Sequence, residues 1–262
     1  MTEEQIKAVF KNRSIPPDHA LDAFETALSR HGMARAPFRL YGSEPLGLEE
    51  VRESLKRSRR NAFHMVGEDF DFRLGVVANY NLSFVLIKST GFLNIPWDDF
   101  AAELISKDGF ISAWVVDSEY DHWQNAKDPL EYDAVGKPYG HLPLKSNGLP
   151  YPLKGQIIDT SSNSGRWLFH NSYIEAVAAV MWLGEPFWKL TGARKEDVLS
   201  SAWLQASNPL PTVIKIRAAE HSFTSDQGEE ADIQKRLRAL LFPPQDPALM
   251  LEEVRPLNTL PF

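Results

Sequence analysis

Apolar residues recur along this chain at two different spacings, and the first of them is helical. After Pro16 and Pro17, three apolar residues follow at intervals of three and four, namely Leu21, Phe24 and Leu28. A second set with helical spacing comprises Leu48, Val51 and Leu55. Such spacing places apolar side chains on one face of a helix. We therefore predict helical structure over residues 2–61, within an N-terminal helical segment spanning residues 1–66.

From Phe70 onward the pattern becomes extended. Residues 72–80 and 82–88 are rich in Val, Leu, Ile and Phe, and the polar connection at 79–81 predicts an antiparallel hairpin. Pro96 is expected to begin a short helix that Gly109 ends. The following run, residues 110–116, is apolar on both faces, which is typical of a central strand.

Residues 128–165 contain many prolines and glycines and little regular pattern, which predicts a linker, a lid or a binding loop. Beyond them, extended segments are predicted at 156–159, 166–170, 176–183 and 212–218, with short helices near 187–190 and 195–204. Residues 181–188 form an apolar block assigned to the core. A last helix is predicted with an Asp226–Glu229 capping box and an end at Pro243, and one short turn is predicted at 248–254.

These elements predict an α+β fold, with N-terminal helices followed by a mixed, mainly antiparallel sheet on which helices pack. We divide the chain into a helical segment (1–66), a first α+β half (67–134), a loop or linker (135–165) and a second α+β half with a C-terminal helix (166–262). Residues 116–123 and 216–223 share an order of acid, histidine and aromatic residue, which leaves open two related halves.

Composition limits the classes of function. The chain has 262 residues, no cysteine, a net charge of −7 and a pI near 5.5. Thiol chemistry is excluded, and the negative charge argues against direct binding of nucleic acid. A basic run at residues 52–60 reads as a solvated helix face. No secretory signal or apolar run of membrane-spanning length is evident, so we expect a cytoplasmic protein with no membrane contact.

Charge is concentrated between residues 96 and 133, where ten acidic residues stand against two lysines. Aromatic residues are interleaved with the acids, a mixture that suits a surface binding a cationic protein, although a merely solvated acidic face is the alternative. If the strand at 110–116 continues, Asp117, Glu119 and Asp121 fall on one face. The candidate partner-binding residues are Asp98, Asp99, Asp117, Glu119, Asp121, Trp123, Glu131 and Asp133.

No catalytic motif is evident. Gly-x-Ser-x-Gly and the phosphate-binding glycine motifs are absent, and the seven histidines form no metal-binding pair on a helix. Asp117, Glu119, Asp121 and His122 have side chains that could bind a divalent metal, but no ligand loop accompanies these residues. We expect no catalytic residues, cofactor or metal. A hydrolase using dispersed carboxylates and His122 or His221 is the first alternative function, and a scaffolding protein is the second.

The second half of the sequence resembles a known family. The segments that carry the resemblance are 173–177, 181–188, 217–219 and 234–238, within residues 70–242. Together they resemble the immunity protein 52 family of bacterial polymorphic toxin systems. The resemblance implies an α+β protein that binds and neutralises a cognate toxin, in several systems a nuclease delivered by type VI secretion. It supplies no catalytic residues.

The acidic window and the resemblance lead to one functional prediction. A nuclease needs a cationic cleft, which an acidic surface could fill without catalysis. The expected partner is therefore a toxin with a basic nuclease domain. As a test, reversal of Asp117, Glu119 and Asp121 to lysine is predicted to weaken toxin binding without unfolding the protein.

Overall fold

A computed structural model describes residues 3–33, 37–90 and 95–244 of the chain. Their helices are α1 (Pro17–Arg30), α2 (Leu48–Ser58), α3 (Trp97–Ile105), α4 (Ser118–Asn125), α5 (Pro129–Ala134), α6 (Glu185–Thr191), α7 (Lys195–Leu199) and α8 (Gly228–Leu241). Their strands are β1 (Glu4–Lys11), β2 (Phe38–Leu40), β3 (Pro45–Leu46), β4 (Phe63–Val66), β5 (Phe70–Val77), β6 (Leu82–Ser89), β7 (Phe110–Asp117), β8 (Leu144–Ser146), β9 (Gln156–Ile158), β10 (Leu168–His170), β11 (Tyr173–Glu175), β12 (Val180–Gly184), β13 (Gln205–Leu210) and β14 (Val213–Arg217).

Ten of these strands form one antiparallel sheet, in the order β13-β14-β12-β7-β1-β6-β5-β4-β2-β3. The sheet draws strands from residues 1–66, 67–134 and 166–262. Two small hairpins, β8–β9 and β10–β11, lie outside it. The α+β fold class with a mainly antiparallel sheet is thereby confirmed.

The helical prediction for residues 2–61 is wrong at residues 38–40 and 45–46, which form the edge strands β2 and β3, and at residues 4–11, which form β1 in the middle of the sheet. This strand pairs with β6 on one side and β7 on the other. Ile6, Ala8, Val9 and Phe10 are fully buried. Backbone pairing on both edges and burial of both faces outweigh the helix preference of the flanking Glu, Gln and Lys residues. The helices predicted around Leu21 and Leu48 are confirmed as α1 and α2.

Each face of the sheet has its own core. On one face α1 and α3 pack against β5, where the ring of Phe24 lies 4.9 Å from that of Phe72 and 6.2 Å from that of Phe100. On the other face Trp114 and Met181 pack with Phe187 of α6 and Leu237 of α8. The predicted hairpin, the helix at Pro96, the strand at 110–116 and the buried block at 181–188 are all confirmed.

Two predicted details near the cleft described below are wrong. Strand β7 ends at Asp117 instead of continuing, because the Asp117 carboxylate accepts a hydrogen bond from the Tyr120 amide at 2.7 Å and so caps α4. The helix α8 is present, but no capping box forms. Instead Glu230 accepts hydrogen bonds from the Thr224 and Ser225 amides.

The long loop predicted at 128–165 contains α5 and the hairpin β8–β9. The turn predicted at 248–254 lies outside the described residues. Among the helices of the described segments, none combines the length and apolar character that crossing a membrane requires.

Candidate partner-binding site

Helix α4 presents two different sides because residues three and four apart share a helix face. Tyr120, Trp123 and Gln124 lie on one side, and Ser118, Asp121 and Asn125 lie on the other. The helix therefore places Glu119 and Asp121, which are two positions apart in sequence, on different sides. Each side borders a cleft, and the cleft beside Tyr120 and Trp123 is the candidate site.

The first cleft, which we call the acidic cleft, has a volume of about 550 Å³. Its walls come from α4, α5, residues 137–142 and 158–163, and residues 224–227. Four carboxylates and one lysine line it, together with an aromatic floor: Asp117, Glu119, Asp159, Asp226, Lys137, Tyr120, Trp123 and Tyr132. An excess of carboxylates in a concave site concentrates negative potential there.

Some charged groups of the acidic cleft already form hydrogen bonds or ion pairs within the protein, and others do not. Asp159 accepts hydrogen bonds from Lys145 Nζ at 2.8 Å and the Ser161 amide at 3.0 Å, which lower its pKa to about 2. Lys137 Nζ lies 4.8 Å from the centre of the Trp123 ring. Glu119 is exposed, and no described residue forms an ion pair with it. Glu119 is therefore the carboxylate most open to an external cation.

The aromatic floor is held in place by hydrogen bonds and burial. The Tyr120 hydroxyl donates to Gln234 Oε1 of α8 at 3.1 Å, and the Tyr132 hydroxyl donates to the Trp123 carbonyl at 3.4 Å. Burial raises the pKa of both tyrosines, so both phenols stay neutral at pH 7. The rings of Trp123 and Tyr132 lie 4.7 Å apart. The floor is thus a fixed apolar surface beneath the carboxylates.

Of the eight residues proposed from the sequence, three line the acidic cleft: Asp117, Glu119 and Trp123. Asp98 and Asp99 lie in the first turn of α3, where they pair with Lys215 and His31. The structure therefore does not place those two carboxylates in the acidic cleft.

Asp121, Glu131 and Asp133 also lie outside the acidic cleft. Asp121 is buried on the opposite side of α4 and accepts hydrogen bonds from Gln5 Nε2 at 3.0 Å and Lys7 Nζ at 2.5 Å. Glu131 pairs with His122 at 3.3 Å, and Asp133 is exposed on α5. The triple reversal of Asp117, Glu119 and Asp121 would therefore remove a helix cap and a buried ion pair, so we expect it to destabilise the fold as well as to change the surface charge.

Sequence reasoning missed the most exposed apolar feature of the described residues. We call it the arm; it consists of β8, β9 and their connection at 147–155. Tyr151 is 90% exposed, Leu153 67% and Leu149 49%. The only sequence signal was the alternation of these apolar residues with Pro150 and Pro152, inside a stretch interpreted generally as a linker, lid or binding loop.

The arm begins at the wall of the acidic cleft. Ile158 and Asp159, at the end of β9, line that cleft. The base of the arm therefore forms part of the wall of the acidic cleft.

The two histidines named by the alternative hydrolase hypothesis lie outside the acidic cleft, whose lining includes a different histidine, His141. His122 contacts Glu131 outside the acidic cleft, and His221 is exposed in the segment after β14. Within residues 3–33, 37–90 and 95–244, no group of three or more His, Asp or Glu side chains is arranged to hold a metal ion. The acidic cleft combines carboxylates with an aromatic floor, an arrangement suited to recognition of a cationic surface.

The sequence matches no protein-family model and no curated protein sequence. The fold is similar to that of the Pseudomonas aeruginosa type VI secretion system (T6SS) protein PA0821, with a TM-score of 0.51 and 13% sequence identity. The similarity covers 92% of this chain and 74% of that protein. At this identity the likeness shows a shared fold only. Neither this comparison nor the family models support membership of the immunity protein 52 family, which the sequence suggested.

Proposed function

We propose that this chain is an immunity protein that binds and neutralises a cognate toxin of a type VI secretion system without catalysing a reaction. The single observation that carries the proposal is the acidic cleft, with four carboxylates, one lysine and an aromatic floor. One further point supports it: the fold is similar to that of a T6SS protein.

The physical basis is complementarity to a nuclease. A nuclease binds the phosphates of its substrate with a cationic groove, so a carboxylate-rich surface can occupy that groove in place of nucleic acid. Glu119 and Asp226 are exposed at the acidic cleft and would attract the groove over a distance. Trp123 beneath them offers the aromatic surface that contributes most to affinity once water is excluded. Such a toxin acts on nucleic acid, so we place the encounter in the cytoplasm.

The test begins with recovery of the partner at low salt from the cells that make this protein. The recovered protein is then produced in a sensitive host with and without this chain, and growth is measured. We expect the partner to be toxic alone, to cleave nucleic acid and to be harmless when this chain is present. A partner that is harmless alone would contradict the proposal.

Charge reversal in the acidic cleft tests the surface itself. We expect the variant Glu119→Lys with Asp226→Lys to bind the toxin at least about tenfold more weakly at low salt and to lose protection. The matched control reverses Glu44 and Glu196, which are exposed and lie outside the cleft. Equal affinity and protection by the cleft variant and the control, both folded by circular dichroism, would show that the acidic cleft is not the binding surface.

A further inference from the structure

The arm carries apolar side chains that the rest of the described protein leaves uncovered. Six of the ten large exposed apolar residues of the described segments lie between positions 130 and 153, and three of them, Leu149, Tyr151 and Leu153, lie at the tip of the arm. A cluster of exposed apolar side chains usually marks an interaction surface. The cluster at the tip of the arm is therefore a candidate contact surface.

Asn147 fixes the backbone of the tip. Its side chain donates to the Leu153 carbonyl at 2.8 Å and accepts from the Leu149 and Gly155 amides, each at 3.1 Å. The Asn147 amide also donates to the Gly155 carbonyl at 3.0 Å. A loop held in this way loses little conformational freedom when it binds, so more of its contact energy remains as affinity.

The base of the arm is joined to the body of the protein. Ile158 is buried with Ala126 and Tyr132, and its amide donates to the Lys127 carbonyl at 2.9 Å. Lys145 of β8 pairs with Asp159 at the wall of the acidic cleft. The base of the arm is therefore fixed at the wall of the acidic cleft, and the tip projects from that base.

The arm offers a partner apolar contacts and no acidic ones. Residues 144–158 contain Lys145 and Lys154 but no acidic residue, and Lys145 is already paired with Asp159. An apolar tip on an arm whose base lines the acidic cleft suits a partner that has an apolar groove as well as a cationic surface.

We infer that the arm is a docking element: Leu149, Tyr151 and Leu153 insert into an apolar groove of the same toxin whose cationic surface meets the acidic cleft. This inference rests on the proposed function and adds a second, non-electrostatic contact to it. The acidic cleft sets the rate and salt dependence of association, whereas the tip slows dissociation.

Site-specific photo-crosslinking in the cells that make this protein separates the two claims. A benzophenone amino acid is placed at position 151, at position 119, or at control position 199, where Leu199 of α7 is 48% exposed. We expect the toxin to be crosslinked from positions 151 and 119 but not from 199. Crosslinking from 119 alone would overturn the docking arm and leave the proposed function standing. No crosslink from either position would overturn both, and a crosslink from 151 to a second copy of this chain would replace the toxin with a dimer partner.

Affinity measurements with the purified complex complete the test. We expect the triple variant Leu149→Ser, Tyr151→Ser, Leu153→Ser to weaken binding by about 30-fold or more, mainly through faster dissociation, with an unchanged salt dependence. Leu199→Ser is the matched control and should bind normally. The variant Asn147→Ala keeps the apolar side chains but removes the hydrogen bonds that hold the loop. We therefore expect its loss of affinity to be smaller than that of the triple variant. A folded triple variant with normal affinity would overturn the inference.

Discussion

Lys7 on the central strand and Asp121 on α4 form an ion pair with an Nζ–Oδ2 distance of 2.5 Å, and their side chains are only 15% and 10% exposed. Gln5 donates a second hydrogen bond to the same carboxylate oxygen. Asp121 is therefore committed to the fold. It joins α4, which lines the acidic cleft, to the strand in the middle of the sheet.

Replacement of Asp121 by lysine is predicted to destabilise the protein by about 3 kcal/mol or more, because Lys7 loses its partner in a largely buried site and faces a like charge. Thermal or urea unfolding measures the change. Glu119→Lys, only two positions away but exposed, should change stability by about 0.5 kcal/mol or less. Similar stabilities for the two variants would contradict this assignment.

Glu175 of β11 accepts hydrogen bonds from His170 and from Arg238 of α8, and these lower its pKa to about 2 from an ordinary value of 4.5. A lowered pKa in the folded state stabilises the protein above the unfolded pKa, and this contribution is lost as the pH falls from about 4.5 toward 2. We predict that Glu175→Gln lowers the free energy of unfolding by about 2 kcal/mol at pH 7.

This prediction is tested by measuring how the loss of unfolding free energy in Glu175→Gln changes with pH. Urea unfolding at pH 7 and at pH 3 should show a smaller difference between Glu175→Gln and the parent protein at the lower pH. Glu220→Gln, at an exposed position outside this network, is the control. A difference that stays constant between the two pH values would contradict the ionised state of Glu175.

Gln234 is fully buried and links α8 to the floor of the acidic cleft. Its Oε1 accepts from Tyr120, and its Nε2 donates to the Ser225 carbonyl at 3.0 Å. Tyr120→Phe leaves that oxygen without this donor, so we predict a loss of about 1–2 kcal/mol. In a double-mutant cycle with Gln234→Leu, the two losses should be clearly less than additive. Additive losses would show that the hydrogen bond does not couple the two helices.

Gly184 ends β12 at a position where a side chain does not fit. A Cβ atom there would lie 2.8 Å from the Phe110 carbonyl oxygen, and backbone cannot move aside as a side chain can. We predict that Gly184→Ala destabilises the protein by about 2 kcal/mol. Gly140→Ala is the control, because nothing lies within 4 Å of a Cβ atom at that glycine. It should be neutral or slightly stabilising.

Much of the fold could be predicted from local patterns, and the failure at β1 shows their limit. The hairpin at 70–89 and helix α3 follow from alternating or helical spacing within one element. In contrast, residues 4–11 carry helix-favouring Glu, Gln and Lys side chains and become a strand because β6 and β7 pair with both edges. Those partners lie more than 70 residues away in sequence, so no local window contains the cause.

The sequence named only some of the residues that line the acidic cleft, for a similar reason. The local excess of carboxylates drew attention to Glu119 and Trp123, which line that cleft. The cap at Asp117 begins α4, and the helix then decides on which side each acidic residue lies. The sequence pattern predicted a continuing strand at these positions. The loop that carries Tyr151 is held by hydrogen bonds that Asn147 donates to Leu153 and accepts from Gly155, which composition and spacing do not reveal.

The central position of β1 also has a consequence in time. A ribosome releases this strand before any other described element, yet its neighbours β6 and β7 end only at residues 89 and 117. Until both have emerged, the nascent chain exposes an apolar strand with two unpaired edges, the kind of segment that chaperones bind and that aggregates when left unprotected. Pairing of β1 on both edges is therefore completed only after residue 117 has been synthesised, about a hundred residues after β1.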